Sequence, residues 1–455
     1  MKTIRIGAGL GFYGDSWEPV LATIERGDVQ YIASDHLAEL TLAILQKDRA
    51  SDPAAGYTRD LVPMFAALWP QASARGIKFL LNAGGLNAHG ARDALTALFR
   101  KKGWKARIAV VTGDDVLDQL DVIDGSNMDS GAPLSTVRER MVFANAYVGA
   151  APLVAALAQG ADIVLTGRVA DAALFLAPLI HEFGWRLDAN SERDWDLLAQ
   201  GTALGHLLEC SGQGSGGNFG GLDWQTIPDL AHIGYPIAQA GSDGSVIITK
   251  APGTGGRVSF DTVREQLLYE VHDPANYITP DVVLDMSAIR LEDLGGDRVQ
   301  LSGARGKPRP QQLKVVGGYT DGWMGQASFG YCWPQAYAKA SHAARMVEQL
   351  LRERGVAFDE LKVEYLGYDS ILGPLADSAG RDDLNEVYLR MALRTGDQRA
   401  AEGFGRMFPS LALSGPPFVG GRFAPQAATQ LLGIWPMLVE RAMVEARIDV
   451  HVTDV

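Results

Sequence analysis

The sequence is poor in cysteine: Cys210 and Cys332 are the only two in 455 residues. They form no C-x-x-C unit, which excludes a disulfide framework and suits a reducing compartment. Long apolar runs are also missing. No uninterrupted stretch approaches the roughly 18 residues of a membrane span, and the opening MKTIRIGAG lacks a signal-peptide pattern, so a cytoplasmic protein with no membrane partner is expected. Positive charge is in deficit, with 41 Lys and Arg against 54 Asp and Glu and a net charge of −13. A broad surface for nucleic acid or anionic lipid is thereby excluded, although a local basic pocket is not. The glycine-rich segment near residue 215 lacks the Lys-Ser/Thr ending of a phosphate-cradling loop, so an ATPase reading fails as well. A small-molecule partner and a homo-oligomer remain as the expectation.

What is present is a repeated pattern in the first half. TIRIGAG, VQYIASDH, IKFLLNAGG, ARIAVVTGDD and ADIVLTGR are short β-branched runs that close on glycine or small polar residues, with helix-compatible sequence between most neighbours. Strands alternating with helices imply crossovers and a parallel sheet. The spacing predicts an α/β protein: a parallel-sheet, helix-flanked domain over residues 1–244 carrying a ligand cleft, and a second, smaller α+β domain over 245–455. In open parallel sheets ligands bind beyond the carboxyl ends of the strands. Asp35, Asn82, Gly84, Gly85, Asp114, Arg168 and Asp171 all fall at such ends. Asp35, Asp114 and Asp171 are the candidate proton-transfer residues. Asn82, Gly84, Gly85 and Arg168 are candidate substrate contacts, with the Arg168 guanidinium suited to a carboxylate or phosphate. The structural alternative is that Arg168 bridges to Asp171, three residues on, at the start of a helix.

The middle of the chain is richest in glycine. GHLLECSGQGSGGNFGG places Gly216 and Gly217 where backbone N–H groups could approach a substrate anion, or where the chain simply turns. His206 and Glu209, three apart, would share a helical face; this permits acid–base work or joint ligation, but two ligands do not make a metal site and none is assigned. Beyond residue 245 short strands come without long helices between them, which suggests antiparallel pairing before the helical pattern resumes. GGYTDGWMGQ adds Asp321 in a glycine-flanked turn.

A family resemblance is carried by GAGLGFYGD, DHLAELTLA, NAGGLN, TGDD, NAYVGAAPLVAALAQGADIVLTGRVADAAL, GHLLECSGQ, VREQLLYEVHDP and TPDVVLD. In this order and spacing they resemble the acyclic terpene utilisation family, AtuA, from residue 7 to roughly 320, with weaker agreement to the end. The resemblance implies a bacterial catabolic protein, acting where acyclic terpenes are degraded as CoA thioesters alongside acyl-CoA carboxylases. Where many relatives read GQVTGGYF, this chain has GQGSGGNFGG at 212–221, so their usual substrate is not assumed.

These readings leave three function classes. The first is an enzyme acting by acid–base chemistry on a small, branched carboxylic acid or its CoA thioester, of hydratase, lyase or hydrolase type, with CoA entering only as part of the substrate. The second is an NAD(P)-dependent oxidoreductase, since Gly9, Gly11 and Gly14 match G-x-G-x-x-G after a strand. Asp15, directly after the third glycine, would repel a pyrophosphate there. The third is a non-catalytic partner subunit of an acyl-CoA carboxylase.

Overall fold

The computed structural model describes residues 1–123, 125–421 and 427–455. The chain forms two compact units, one of Met1–Gly317 with Ile434–Val455 and the other of Gly318–Gly433. In the larger unit the elements run β1 (Thr3–Ala8), α1 (Glu18–Arg26), β2 (Tyr31–Ser34), α2 (Glu39–Ser51), α3 (Leu61–Ala74), β3 (Lys78–Leu81), α4 (Ala88–Lys102) and β4 (Arg107–Thr112). They continue with β5 (Met141–Ala146), α5 (Ala151–Ala158), β6 (Ile163–Thr166), α6 (Ala173–Phe183), α7 (Glu192–Leu208), β7 (Pro236–Gly241), β8 (Val246–Lys250) and α8 (Phe260–Leu268).

The five apolar runs recognised in the sequence become β1, β2, β3, β4 and β6. They pair in the order β1-β2-β3-β6-β4, every pair parallel. Their burial explains the composition: Ile163–Thr166 is buried along its whole length, as is Tyr31–Ser34, so neither strand could alternate polar with apolar residues. The sheet as a whole is mixed. Asp449–Asp454 pairs antiparallel with β4 at one edge, and β7, β8, Val299–Ser302 and Arg290–Asp293 extend it antiparallel beyond β1. The boundary expected near residue 244 therefore falls in the β7–β8 hairpin, inside one sheet, and the compact units divide elsewhere. Strands without intervening helices read as a new domain, but a hairpin can also lengthen an existing sheet.

Glycines permit the close approaches that this layering needs. Gly205 in α7 is the clearest case, because a Cβ there would lie 2.8 Å from the Cα and carbonyl oxygen of Ala172. The lack of a Cβ lets the buried end of α7 lie against the segment that follows β6. The smaller unit has its own core: Ala336, Ala340, Ala343, Val347 and Leu351 of the helix Ala336–Glu353 pack against Val387, Leu389, Met391 and Leu393 of the strand Glu386–Thr395. The spacing of three and four on the helix meets the spacing of two on the strand. Asp321 lies in this unit, 3.1 Å from Arg394.

Asp281, in the TPDVVLD motif, is a buried carboxyl of the larger unit whose two oxygens both accept from the Ala150 backbone N–H at 3.0 Å, at the start of α5. Burial pushes it up to about 6, against the pull of that N–H and of Arg441 and Arg309. A carboxyl whose folded value lies above its unfolded value contributes stability that is complete below the unfolded value and is lost as pH rises through the folded one. Asp281→Asn removes this titration while retaining an acceptor. The thermal midpoint of the variant relative to wild type should therefore rise between pH about 4 and pH about 7, by the equivalent of roughly 2 kcal/mol. A difference that stays flat, or falls, over that window would contradict the assignment.

Candidate functional site

Arg168 leaves the end of β6 and turns inward. It is 2% exposed. One guanidinium nitrogen, Nη1, donates to the Leu37 carbonyl just beyond β2, and Nη2 donates to the Asp171 carboxylate. Its plane lies over the Tyr147 ring at 4.1 Å from the centroid, and Asp35 Oδ1 is 3.9 Å from Nη1. Burial disfavours the cation, but the charges of Asp171, Tyr147, Asp35 and Glu39 outweigh it and raise the Arg168 pKa. The ring is fixed in turn: the Tyr147 hydroxyl donates to Glu39 at 2.6 Å and the Lys314 ammonium reaches the same carboxylate at 3.1 Å. Against the penalty of its own burial, those contacts hold Glu39 down to about 2.

Around this arginine the strand-end residues form two layers. Asn82 and Asp114 lie behind it. The Asn82 amide donates to Asp35 and its oxygen accepts from the His36 N–H at 2.6 Å. Asp114 accepts the Arg168 N–H at 2.7 Å and the Asn145 amide, on β5, at 2.8 Å, and burial lifts it to about 6 despite both bonds. Asp35 and Asp171 lie in front, in the wall of a cavity of about 1140 Å³. Asp35 is 6% exposed, and burial first, then the Asp171 charge, raise it well above the usual carboxylate range against the opposing Arg168 charge and Asn82 bond.

The glycines expected to contact substrate divide in the same way. A Cβ on Gly84 would lie 2.5 Å from the Thr166 carbonyl oxygen, and one on Gly85 2.3 Å from Leu45 Cδ1, so both admit neighbouring protein. Gly217 lines the cavity, but its N–H donates to the Gly212 carbonyl at 2.9 Å, and that of Gly216 to Gln213 at 3.1 Å. These amides are already satisfied and offer no anion nest. The turn after β1 is similar. Asp15 accepts the Gly11 N–H at 3.0 Å and the Ser16 N–H at 2.7 Å, as well as the hydroxyls of Ser211 and Tyr235 at 2.8 and 2.7 Å. A protein carboxylate thus occupies donors that a pyrophosphate would need.

The cavity wall also holds acids that the strand-end argument did not reach. Asp15, Glu18, Glu209, Asp229 and Glu270 join Asp35 and Asp171, opposed by Arg26 and His232. Arg26 is engaged with the Pro252 carbonyl at 2.8 Å and His232 with Asp229 at 2.9 Å. Of these, Glu209 was legible as the partner of His206 at helical spacing, and the two do meet, Nδ1 to Oε1 at 2.8 Å. The others come from the first turn of α1 and from loops, whose meeting no local pattern records. Among the described residues no three His, Cys, Asp or Glu side chains are grouped to hold a metal ion.

The geometry makes Arg168 and Asp171 an internal pair in the ligand-free protein. Arg168→Lys keeps the charge but cannot span Leu37 and Asp171 with one planar fork. That variant and Asp171→Asn should each lower the thermal midpoint, with non-additive effects and a coupling above about 1 kcal/mol in a double-mutant cycle. Additive effects would place the partner of Arg168 elsewhere.

No curated protein and no solved structure matches the sequence. Among the described residues no helix is long and apolar enough to cross a membrane. The family model for the acyclic terpene utilisation protein AtuA matches residues 4–450, nearly the whole sequence. The chain belongs to the acyclic terpene utilisation family, AtuA.

Proposed function

We propose that this protein is a catabolic enzyme that adds water to, or removes it from, a branched acyl group carried as a CoA thioester, with Asp35 as its proton-transfer residue. The observation that carries the reading is Asp35 itself: a buried carboxyl in a cavity wall, shifted toward the acid form by burial and by the neighbouring Asp171 charge. A carboxylic acid in that state can donate to a carbonyl oxygen or to carbon as negative charge develops there. The crowding of acids selects the form of the substrate. A free carboxylate would add one more negative charge to a wall already dominated by them, whereas a thioester presents a neutral carbonyl to the same groups and keeps the charges of the CoA phosphates at the far end of its pantetheine arm.

The alternatives fit less well. A hydrolase using Cys210 needs a thiolate, yet burial and the Glu209 charge push this thiol far above its usual range. A nicotinamide enzyme needs free donors in the turn after β1, where Asp15 already holds them. A carboxylase partner subunit would not need a buried acid exposed to a cavity, although an acyl-CoA carboxylase acting elsewhere in the same degradation is compatible with this reading. A homo-oligomer in the cytoplasm remains part of the proposal.

The test is a panel of branched, α,β-unsaturated acyl-CoA thioesters with the matching free acids, followed by mass spectrometry for gain or loss of one water. Turnover is expected with thioesters and not with free acids. Asp35→Asn retains an oxygen to accept from Asn82 and the Leu37 N–H, so it should fold while losing at least about 100-fold in kcat. Turnover of the free acids alone, or full activity in Asp35→Asn, would overturn the proposal.

A further inference from the structure

Glu209 stands at the end of α7, where the helix is buried without interruption from Leu198 to Leu208. The contact at Gly205 sets this helix end against Ala172, one residue beyond Asp171. The Gln266 amide donates to the His206 carbonyl at 3.1 Å and fixes the backbone of the last turn. Glu209 is 6% exposed. Its Oε1 meets His206 Nδ1, while Oε2 has no hydrogen-bond partner although the residue lies in the cavity wall. An unpartnered carboxyl oxygen in so buried a place costs free energy unless a donor arrives. The cavity is where such a donor can enter.

The His206 ring lies against Tyr277, with centroids 5.2 Å apart; Nδ1 meets Glu209, while the buried Nε2 has no hydrogen-bond partner. Burial disfavours the imidazolium, but the Glu209 charge and hydrogen bond, with the nearby Leu267 carbonyl, outweigh it and raise the His206 pKa. Glu209 is moved upward as well, to about 7, by burial first and then by Asp171 and Glu270, with His206 opposing. Asp35, Tyr269, Tyr277 and Cys210 belong to the same electrostatic neighbourhood.

We propose that Glu209 is a second proton-transfer residue of the cavity, serving the water molecule while Asp35 serves the acyl carbon, and that His206 is the positioning residue that holds it. The inference rests on the water-addition reading. In the addition direction the Glu209 carboxylate takes one proton from water, and the oxygen lone pair forms the C–O bond at the β carbon. The C=C electron pair moves to the α carbon, where Asp35 delivers its proton. The product has gained H and OH, Glu209 is left protonated and Asp35 ionised, and exchange with solvent restores both. Elimination is the same sequence reversed. A carboxyl that loses its proton near neutral pH suits the base of such a reaction.

The experiment uses the full chain, with the CoA thioester of a β-methyl-branched, α,β-unsaturated acid as probe. Glu209→Gln should lower kcat by about 100-fold or more with KM changed by less than about 3-fold, and should abolish the acidic limb of the pH–rate profile. His206→Gln removes the cation that favours Glu209 ionisation. It should therefore keep activity at high pH and move the acidic limb upward, which a merely structural residue would not do. An active wild type whose Glu209→Gln variant stays within about 3-fold, acidic limb intact, overturns the role of Glu209 and leaves the reading standing. If wild type turns over no thioester, the water-addition reading falls. Infrared titration of the ligand-free protein then decides Glu209 separately, with Glu209→Asp as a second variant should Glu209→Gln not fold. A protonated-carboxyl band that titrates near neutral pH, and is lost or shifted in the variant, supports the Glu209 titration that the proposal requires; its absence rejects the proposal.

Discussion

A guanidinium cannot be carried into a protein interior without its counter-charge and its acceptors, and Arg168 gathers both. Its donors reach the segment after β2 and the first turn after β6, its face covers Tyr147 beyond β5, and its own N–H holds Asp114 beyond β4. Four strand ends are thereby tied at one point. Such a cluster is expensive to assemble, since the desolvation of each ion is returned only if geometry and hydrogen bonding are complete. Its value is positional: with Arg168 fixed, Asp35 and Asp171 have little choice of orientation.

The same arginine separates the behaviour of the carboxyls around it. Glu39 receives the Tyr147 hydroxyl and the Lys314 ammonium and is held down, whereas Asp35 has the amide of Asn82, a more distant share of Arg168, and the opposing charge of Asp171. Acids of one chemical kind are therefore shifted in opposite directions within one neighbourhood. Divergent environments of this sort are how proteins supply both an acid and a base from carboxyl groups alone.

Much of this was written locally. β-Branched runs ending in small polar residues located the parallel strands, and because parallel strands end on one edge, Asp35, Asn82, Asp114 and Arg168 were bound to meet. What the pattern could not say is which way each side chain turns. Of those four, Asp35 lines the cavity while the others support it. The acidity of the cavity as a whole was also hidden, since Asp15, Glu209 and Glu270 belong to segments far apart in the chain. The domain boundary near residue 244 rested on the absence of helices beyond it, yet residues 236–250 form a hairpin whose first strand registers on β1. Edge pairing depends on long-range register, and local periodicity does not encode that.

Raised carboxyl values alone do not mark this site. Asp114 and Asp281 are each lifted to about 6 by burial, as Asp35 and Glu209 are lifted, yet both accept hydrogen bonds from the protein backbone and neither lies in the cavity wall. They are structural acids whose cost is absorbed by the bonds they accept. Glu209 differs because one of its oxygens is left without a donor, and Asp35 because its burial ends at the cavity. Both residues belong to the wall of the space where a ligand would sit. A buried proton becomes chemically useful only when its group borders such a space, and in this fold the close contact at Gly205 and the inward turn of Arg168 bring two such groups to the same cavity.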